Sequence, residues 1–337
     1  MINFIQFTLT RAFLAIVTLL IVCFIVFSLM ELVPGTCAER YLAFKNTQGS
    51  QITFEDIEAE KVRLGLDKPF LYRYGKWVSD IVVKQDFGDS CILRISINEL
   101  LSGRFVLSLA IAITALIFSY VIAIPVGIIS ASTKYVSLDQ TLKFISYLGI
   151  ALPNFLVALC IMLFMTVYFG DTMTGLFSEE YENVPWSMDR VQDFLSRAWL
   201  PIFVLGWNAT AFALQTVRAL MLDENDKLYV MAARARGISG MSLLWRYPAK
   251  HSLGPVINSI GFDLNRIFSA LPIVALILIL TEAGALLIEA LARSNDQQLA
   301  GAIIFLLTAT IVFVNFVTDI ILAIMDPRIR KGVMGGN

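Results

Sequence analysis

Six long stretches of the sequence are almost free of charged residues, and they constrain the fold more than any other feature. The hydrocarbon core of a bilayer is about 30 Å thick, so a helix needs about 20 apolar residues to cross it. Five stretches of this length carry no charge, and a sixth carries only Asp263 and Arg266. We therefore predict an all-α polytopic membrane protein with six transmembrane helices. These cover residues 12–30, 105–133, 144–170, 198–217, 253–281 and 297–318.

The composition supports this class and excludes others. Hydrophobic residues make up 57% of the 337 residues and charged residues only 16%, against about 25% charged residues in soluble domains. The 26 basic and 27 acidic residues nearly cancel, which argues against nucleic-acid binding. One histidine, His251, and four scattered cysteines form no zinc or haem motif. We expect contact with membrane lipid, no nucleic acid, and neither a metal nor a cofactor in this chain.

The basic residues between the stretches predict the orientation, because Lys and Arg are retained on the cytoplasmic side. With the amino terminus inside, the inner segments carry twelve basic residues, whereas the short outer segments 171–197 and 282–296 carry three. Both termini are therefore predicted to be cytoplasmic. The predicted order is an amino terminus with the first helix (1–31), an extracytoplasmic segment (32–104), a core of helices two to six (105–325) and a cytoplasmic tail (326–337).

The extracytoplasmic segment is long enough to form a small folded element. Its amphipathic stretches 54–66 and 69–82 predict short helices. Cys37 and Cys91 both lie in this segment. A disulfide between them is compatible with an oxidising exterior, and two unpaired thiols are the alternative. The other two cysteines, Cys23 and Cys160, lie within predicted helices, where small core residues are the simplest interpretation.

The inner loop 218–251 has the pattern of two short helices. Asn225 or Asp226 is a favourable N-cap, and Gly237 is the expected stop in the left-handed conformation. A second short helix is expected before Pro248. Helices this short are marginal alone in water, so we expect them to dock in the groove of a partner. A surface loop whose basic residues only follow the orientation rule is the alternative. The side chains expected at the contact are Leu228, Tyr229, Met231, Ala232, Ala233, Arg234, Ala235 and Arg236.

The segment Tyr229-Val-Met-Ala-Ala-Arg-Ala-Arg-Gly237-Ile resembles the Glu-Ala-Ala-x-x-x-Gly motif of ABC importer permeases, in the form found in the dipeptide and oligopeptide branch. Met231 stands where the motif has Glu. The resemblance extends over nearly the whole chain and is to the first permease of that branch. Its other segments are Leu32-Val-Pro-Gly35, Leu64-Gly-Leu-Asp-Lys-Pro69, Asp86-Phe-Gly-Asp-Ser90, Leu152-Pro-Asn-Phe155 and Asp326-Pro-Arg-Ile-Arg330.

The resemblance implies a type I importer permease fold in the bacterial cytoplasmic (inner) membrane. It implies that the chain pairs with a second permease, is driven by cytoplasmic ATPases and is supplied by an extracytoplasmic solute-binding protein. The substrate would be a peptide or a similar small solute, with nickel complexes, opines and sugars as alternatives. The chain carries no Walker sequence, so it is expected to be non-catalytic, with ATP and Mg bound by partner chains. The residues implied to couple to the ATPase are Tyr229, Ala232, Ala233, Arg234, Arg236 and Gly237.

Asp263 and Arg266 lie three residues apart, on one helix face, and can therefore pair. A lone charge at the bilayer centre costs about 2.5 to 3.5 kcal/mol, so we expect the pair to face the interior of the helix bundle. Two interpretations remain open. The pair lines the translocation path and meets the charged termini of a peptide-like solute, or it is a structural ion pair that fixes helix packing.

Three prolines are candidate hinges because a proline removes a backbone hydrogen bond and favours a kink. They are Pro153, Pro255 and Pro272. A stand-alone proton-coupled transporter is the competing functional class, and it requires inverted repeats and coupling acids within the helices. Only Asp263 lies inside a predicted helix, with Asp319 near the inner end of the last one, and the sequence shows no internal repeat.

Overall fold

The computed structural model describes residues 2–47, 53–132, 136–170, 173–182 and 184–325, so the predicted tail 326–337 lies outside the described residues. The described ranges form fourteen α-helices and two π-helical turns, and they contain no β-strand. The helices are α1 Ile2–Glu31, α2 Cys37–Thr47, α3 Phe54–Arg63, α4 Phe70–Ser79, α5 Ile97–Leu101, α6 Arg104–Ser130, α7 Val136–Ala151, α8 Asn154–Phe169, α9 Met188–Asn225, α10 Leu228–Ala235, α11 Gly240–Arg246, α12 Pro248–Leu278, α13 Ala283–Ile288 and α14 Gln297–Met325; the π-helical turns are Asp80–Lys84 and Glu289–Ser294.

Among the described residues, five helical stretches are long and apolar enough to cross a membrane, or six if one bent pair counts as a single span. This agrees with the predicted all-helical class. The predicted span over 144–170, which contains the candidate hinge Pro153, is a bent pair: Ser137–Ala151 and Asn154–Phe169 meet at an angle of 100°. The break falls at Pro153, which has no N–H to donate and disfavours helical geometry in the residue before it. These five stretches are Ile5–Glu31, Ile97–Ser130 (α5 and α6 together), Met188–Asn225, Pro248–Leu278 and Gln297–Ile324.

The chain divides into two compact units. The larger unit comprises the described residues within 1–13, 109–280 and 311–337, and the smaller unit comprises those within 14–108 and 281–310.

Helix α9 is central to the larger unit, where it packs against α7, α8 and α12. It is longer at both ends than the predicted 198–217. Small residues allow close approach, as is usual between membrane helices. A Cβ added at Gly206 would lie 2.7 Å from Cδ1 of Phe118 on α6, and the Ser119 hydroxyl donates to the Gly206 carbonyl over 3.0 Å. At the other end of α9, Arg218 donates two hydrogen bonds of 2.7 and 2.9 Å to Asp139 of α7.

The smaller unit is held together by contacts between residues distant in the sequence. The structure joins Cys37 to Cys91 in a disulfide, with their Cα atoms 6.3 Å apart, which is the bridged alternative. Helix α3 begins with a capping box between Thr53 and Asp56. Cys23 is buried as expected, but Cys160 of α8 is exposed rather than part of a core, because the apolar run does not tell which side of a helix faces protein.

Asp296 connects three segments of the smaller unit. Its carboxylate accepts hydrogen bonds from the Ser90 hydroxyl (2.7 Å), the Cys91 N–H (2.8 Å) and the Leu299 N–H (3.1 Å). The preceding residue, Asn295, donates from Nδ2 to the Gly35 carbonyl over 2.8 Å. The loop after α1, the loop after α4 and the start of α14 therefore meet at one buried point.

Candidate functional site

Two short helices form the inner loop, as the sequence predicts, and we call α10, α11 and the turn between them the inner hairpin (residues 228–246). The predicted N-cap is wrong: Lys227 occupies that position, while Asn225 is the last residue of α9. Asn225 and Met221 are both buried. Their burial extends α9 past the local capping signal, because tertiary packing outweighs propensity.

Gly237 ends the first helix of the inner hairpin as predicted. Its φ of 85° lies in the left-handed region. The Ile238 N–H donates to the Ala233 carbonyl over 3.2 Å, and the Gly237 N–H donates to the Arg234 carbonyl over 2.9 Å. These two bonds form a Schellman motif. The turn between α10 and α11 is therefore fixed by backbone geometry.

A small apolar core stabilises the inner hairpin. Val230, Ala233 and Leu243 are buried in it, and Tyr229, Ile238 and Tyr247 pack around them. The expectation that Ala233 faces a partner is therefore wrong, because Ala233 faces the second helix of the hairpin. Ala232, one residue earlier on the helix, is exposed.

Apolar and basic side chains share the exposed surface of the inner hairpin. Leu228 is 80% exposed, and Met231, Met241 and Trp245 are also exposed. Within the described ranges, no ion pair involves any of the exposed arginines of this surface. Exposed apolar groups beside unpaired arginines are typical of a docking surface. These arginines are Arg234, Arg236 and Arg246.

Tyr229 connects the inner hairpin to the two long helices on either side of it. Its hydroxyl donates to the Glu224 carboxylate of α9. Its ring centroid lies 4.8 Å from that of His251 on α12. Burial, together with the bond to Glu224, raises the pKa of Tyr229, so this hydroxyl stays protonated at neutral pH.

Asp263 and Arg266 pair on α12, and both sequence-based interpretations predict this pairing. Arg266 Nη1 lies 2.8 Å from Asp263 Oδ1, and the Tyr120 hydroxyl donates to Asp263 Oδ2 over 2.6 Å. The guanidinium carbon of Arg266 lies 3.6 Å from the ring centroid of Phe212. Asp263 is only 4% exposed, whereas Arg266 is partly exposed. Only the arginine of this pair is therefore accessible at the surface of the chain.

One face of α12 beside Arg266 is exposed along its length. Asn258, Phe262, Asn265 and Ser269 recur every three or four residues and lie on this face. Phe262 is 71% exposed. In the part of the chain that the structure describes, neither asparagine side chain makes a hydrogen bond. We call these four residues the polar face of α12.

The three predicted hinge prolines occupy different settings. Pro153 stands at the 100° break between the two halves of the bent pair. Pro255 and Pro272 lie inside α12, which continues through both. The structure therefore shows a break at Pro153 alone of the three.

Comparison with known proteins gives two family matches. The family described as "Binding-protein-dependent transport system inner membrane component" matches residues 123–331, more than half of the chain. The chain belongs to this family. A second family, described as "Binding-prot-dependent transport system membrane comp, N-term", matches residues 4–94. The predicted permease fold and the predicted function as the membrane permease of an ABC importer are confirmed.

Relatives of this permease align over almost their whole length. The oligopeptide transport system permease protein AppB of Bacillus subtilis is 28% identical over 322 residues, which cover 95% of this chain and 98% of the relative. A putative peptide transport system permease protein of Brucella abortus is 26% identical, covering 96% and 98%. The dipeptide transport system permease protein DppB of Escherichia coli is 25% identical, also covering 96% and 98%.

Sequence reasoning missed several buried polar groups of this permease. Glu282 is completely buried, contacts the Ser108 hydroxyl and accepts hydrogen bonds from the Gly284 N–H (2.7 Å) and the Ala285 N–H (3.1 Å). Burial raises the pKa of Glu282. An acid directly before a helix is a recognisable N-cap signal, but its contact with Ser108, 174 residues away, leaves no local trace.

Proposed function

We propose that this permease is one of two membrane subunits that carry peptides or similar small solutes from an extracytoplasmic solute-binding protein into the cytoplasm. The inner hairpin carries the proposal. It is a preformed element whose exposed surface combines Leu228 and Met231 with Arg234 and Arg236. A groove on a cytoplasmic ATPase is the occupant that this surface fits. The relatives AppB and DppB, named as oligopeptide and dipeptide permeases, support a peptide as the solute.

The position of the inner hairpin explains how a push on it would reach the membrane. Only Asp226 and Lys227 lie between α9 and α10, and only Tyr247 lies between α11 and α12. The hairpin is also tied to Glu224 and His251 through Tyr229. Because α9 and α12 pack against each other in the larger unit, a displacement of the hairpin would move both helices together.

The translocation path is proposed to run along the polar face of α12. Asparagine side chains facing hydrocarbon leave amide groups unsatisfied, so such a face is expected to border water or another protein chain. Arg266 borders this face and is the group suited to the carboxylate of a peptide. Asp263, which is buried, holds the guanidinium in position. The second permease subunit is proposed to supply the opposite wall.

The remaining assignments follow from the same assembly. Both termini are proposed to be cytoplasmic, as the distribution of basic residues predicts. ATP and Mg are proposed to bind to partner chains, and this chain is proposed to be non-catalytic. Pro153 is proposed as a hinge because it stands at the 100° break. Nickel complexes, opines and sugars remain alternative solutes.

Site-directed cross-linking tests the proposed coupling. Single cysteines replace Met231 or Arg234 in full-length chain in which Cys23 and Cys160 have been replaced by alanine. We expect a short bifunctional cross-linker to join both positions to the ATPase in native membranes. The control is Phe54→Cys, which is also exposed but lies in the 32–104 segment. It should give no such product.

The outcomes separate the competing classes. Capture of the ATPase from Met231 and Arg234, together with solute uptake that requires ATP, supports the proposal. Uptake by the purified chain alone, driven by a proton gradient, would instead support a stand-alone transporter. Absence of cross-links from both inner positions, with the complex intact, would overturn the coupling role of the inner hairpin.

A further inference from the structure

Helix α4 lies beside the membrane-spanning part of α1 rather than beyond its end. The Tyr74 hydroxyl donates to the Leu20 carbonyl over 2.8 Å. The Trp77 ring lies 5.7 Å from that of Phe27. Leu20 and Phe27 are 11 and 4 residues before Glu31, where the apolar run of α1 ends, which places these contacts about 16 and 6 Å along the helix from that end. Helix α4 is therefore at the depth of the bilayer surface or below it.

The exposed side chains of α4 and the π-helical turn after it fit this depth. Leu71, Val82 and Val83 are large apolar residues that are exposed in the chain. Lys76 and Lys84 are also exposed on this segment and can extend their ammonium groups towards the headgroups. An amphipathic helix of this kind lies in the membrane interface with its apolar side chains in the acyl region.

A cavity of about 590 Å³ opens in the smaller unit at this level, lined by the end of α1, by α4, by the loops 62–68 and 86–91 and by residues 295–298. Two of its lining residues carry a polar atom that lacks a hydrogen-bond partner among the described residues. They are Trp77 Nε1, in a residue 7% exposed, and Asn295 Oδ1, in a residue 2% exposed. Because buried polar groups normally have partners, a donor and an acceptor at this cavity point to a bound ligand.

The charges of the cavity wall include both signs. Arg73 pairs with Glu31, so these two are already compensated. Lys76, Asp86 and Asp89 also line the cavity, and within the described ranges they form no ion pair. The ammonium of Lys76 and the exposed carboxylates of Asp86 and Asp89 match a ligand that carries an anionic and a cationic group together, although Asp86 also accepts from the Gly88 N–H over 2.8 Å.

We propose that this cavity binds the headgroup of phosphatidylethanolamine from the leaflet beside α4. The phosphate would accept from Lys76 and from the Trp77 N–H. The primary ammonium would donate to Asp86, Asp89 and the unpartnered oxygen of Asn295. Phosphatidylcholine has a cation without N–H donors, and phosphatidylglycerol has no cation, so neither satisfies both sets of groups. The depth of α4 identifies a lipid rather than a dissolved zwitterion as the occupant.

Native mass spectrometry of the full-length chain in mild detergent tests the proposal. The probes are phosphatidylethanolamine, phosphatidylcholine and phosphatidylglycerol with identical acyl chains. We expect phosphatidylethanolamine to bind about tenfold more tightly than the other two, since it alone makes the charge-assisted bonds. Trp77→Phe keeps an aromatic ring but removes the N–H together with the five-membered ring that carries it, and Lys76→Gln removes the cation. Each should weaken phosphatidylethanolamine binding about tenfold, while Lys45→Gln, an exposed lysine outside the cavity, should not change it.

Two results would overturn the proposal. One is equal binding of the three lipids, and the other is phosphatidylethanolamine binding that neither cavity variant weakens. Nitroxide labels give an independent check of depth that does not depend on the cavity variants folding. A label at Val82 should be accessible to oxygen and protected from a water-soluble nickel relaxant, whereas one at Phe54 should show the reverse. Equal exposure of both labels to the nickel reagent would place α4 in water and would contradict a lipid as the ligand of the cavity.

Discussion

Truncation of Leu228 tests the docking surface of the inner hairpin without changing its internal core. Leu228 is 80% exposed, so Leu228→Ala removes three carbons that contribute almost nothing to the fold of the free chain. If the ATPase buries them, at about 0.8 kcal/mol per carbon, the loss is about 2 kcal/mol. This corresponds to an increase of about thirtyfold in the dissociation constant of the ATPase.

The matched variant is Val230→Ala, two residues away on the same helix. Val230 is fully buried against Ala233 and Leu243. Removing its two methyl groups should destabilise the inner hairpin by about 2 kcal/mol, including the cavity that is left. Leu228→Ala should therefore weaken binding of the ATPase and leave the fold of the inner hairpin unchanged, whereas Val230→Ala should destabilise the inner hairpin itself.

Two measurements on the chain in nanodiscs distinguish these effects. Titration with the purified ATPase gives the dissociation constant, and amide hydrogen exchange over residues 228–246 gives the local stability. Leu228→Ala should change the first and leave the second as in the unmodified chain. Unchanged affinity in Leu228→Ala, with normal solute-stimulated ATP hydrolysis, would refute the role of Leu228 in the docking surface of the inner hairpin.

Three further predictions concern the charged and bonded groups. Cys37→Ser should destabilise the smaller unit by about 4 kcal/mol, the loop-entropy value for a separation of 54 residues. Denaturation followed by protease susceptibility measures this loss of stability. Alkylation without reductant should label neither Cys37 nor Cys91 of the unmodified chain. Asp263→Asn leaves Arg266 without its anion and should lower the stability of the fold by about 3 kcal/mol. The double variant Asp263→Asn with Arg266→Gln should restore assembly but not uptake. Normal uptake in the double variant would show that the pair does not line the translocation path. Burial raises the pKa of Asp296, so its contribution to stability is complete below the ordinary Asp pKa and is lost as the pH rises through the raised pKa. The melting temperature should fall over that pH interval, and it should fall less in Asp296→Asn. An identical fall in both chains would contradict this assignment.

The features predicted correctly are those encoded within a few residues. Gly237 ends α10 because only a residue that tolerates positive φ can complete the two Schellman bonds. The apolar runs predicted the membrane spans because the thickness of a bilayer sets their length. The pairing of Asp263 with Arg266 follows from the repeat of a single helix.

The features that sequence reasoning missed depend on distant contacts. Pro153 marked a candidate hinge within the run 144–170, but the uniformly apolar composition of that run does not give the size of the bend, which is 100°. Ala232 and Ala233 are identical neighbours, and only the position of α11 decides that Ala233 is the buried one. The local capping signal at Asn225 was overridden by the burial of that residue at the end of α9. The sequence alone did not decide whether Cys37 and Cys91 form a disulfide, because that pairing also depends on contacts between distant segments.

The buried carboxylate of Asp296 imposes an order on biogenesis. Its partners Ser90 and Cys91 emerge from the ribosome about two hundred residues earlier, and Asn295 contacts Gly35, which is made earlier still. The smaller unit thus cannot complete its contacts until translation has passed residue 299 and most of the spans have been inserted. In the proposed orientation both cysteines reach the oxidising side during that interval, before the contacts that hold their loops in place have formed.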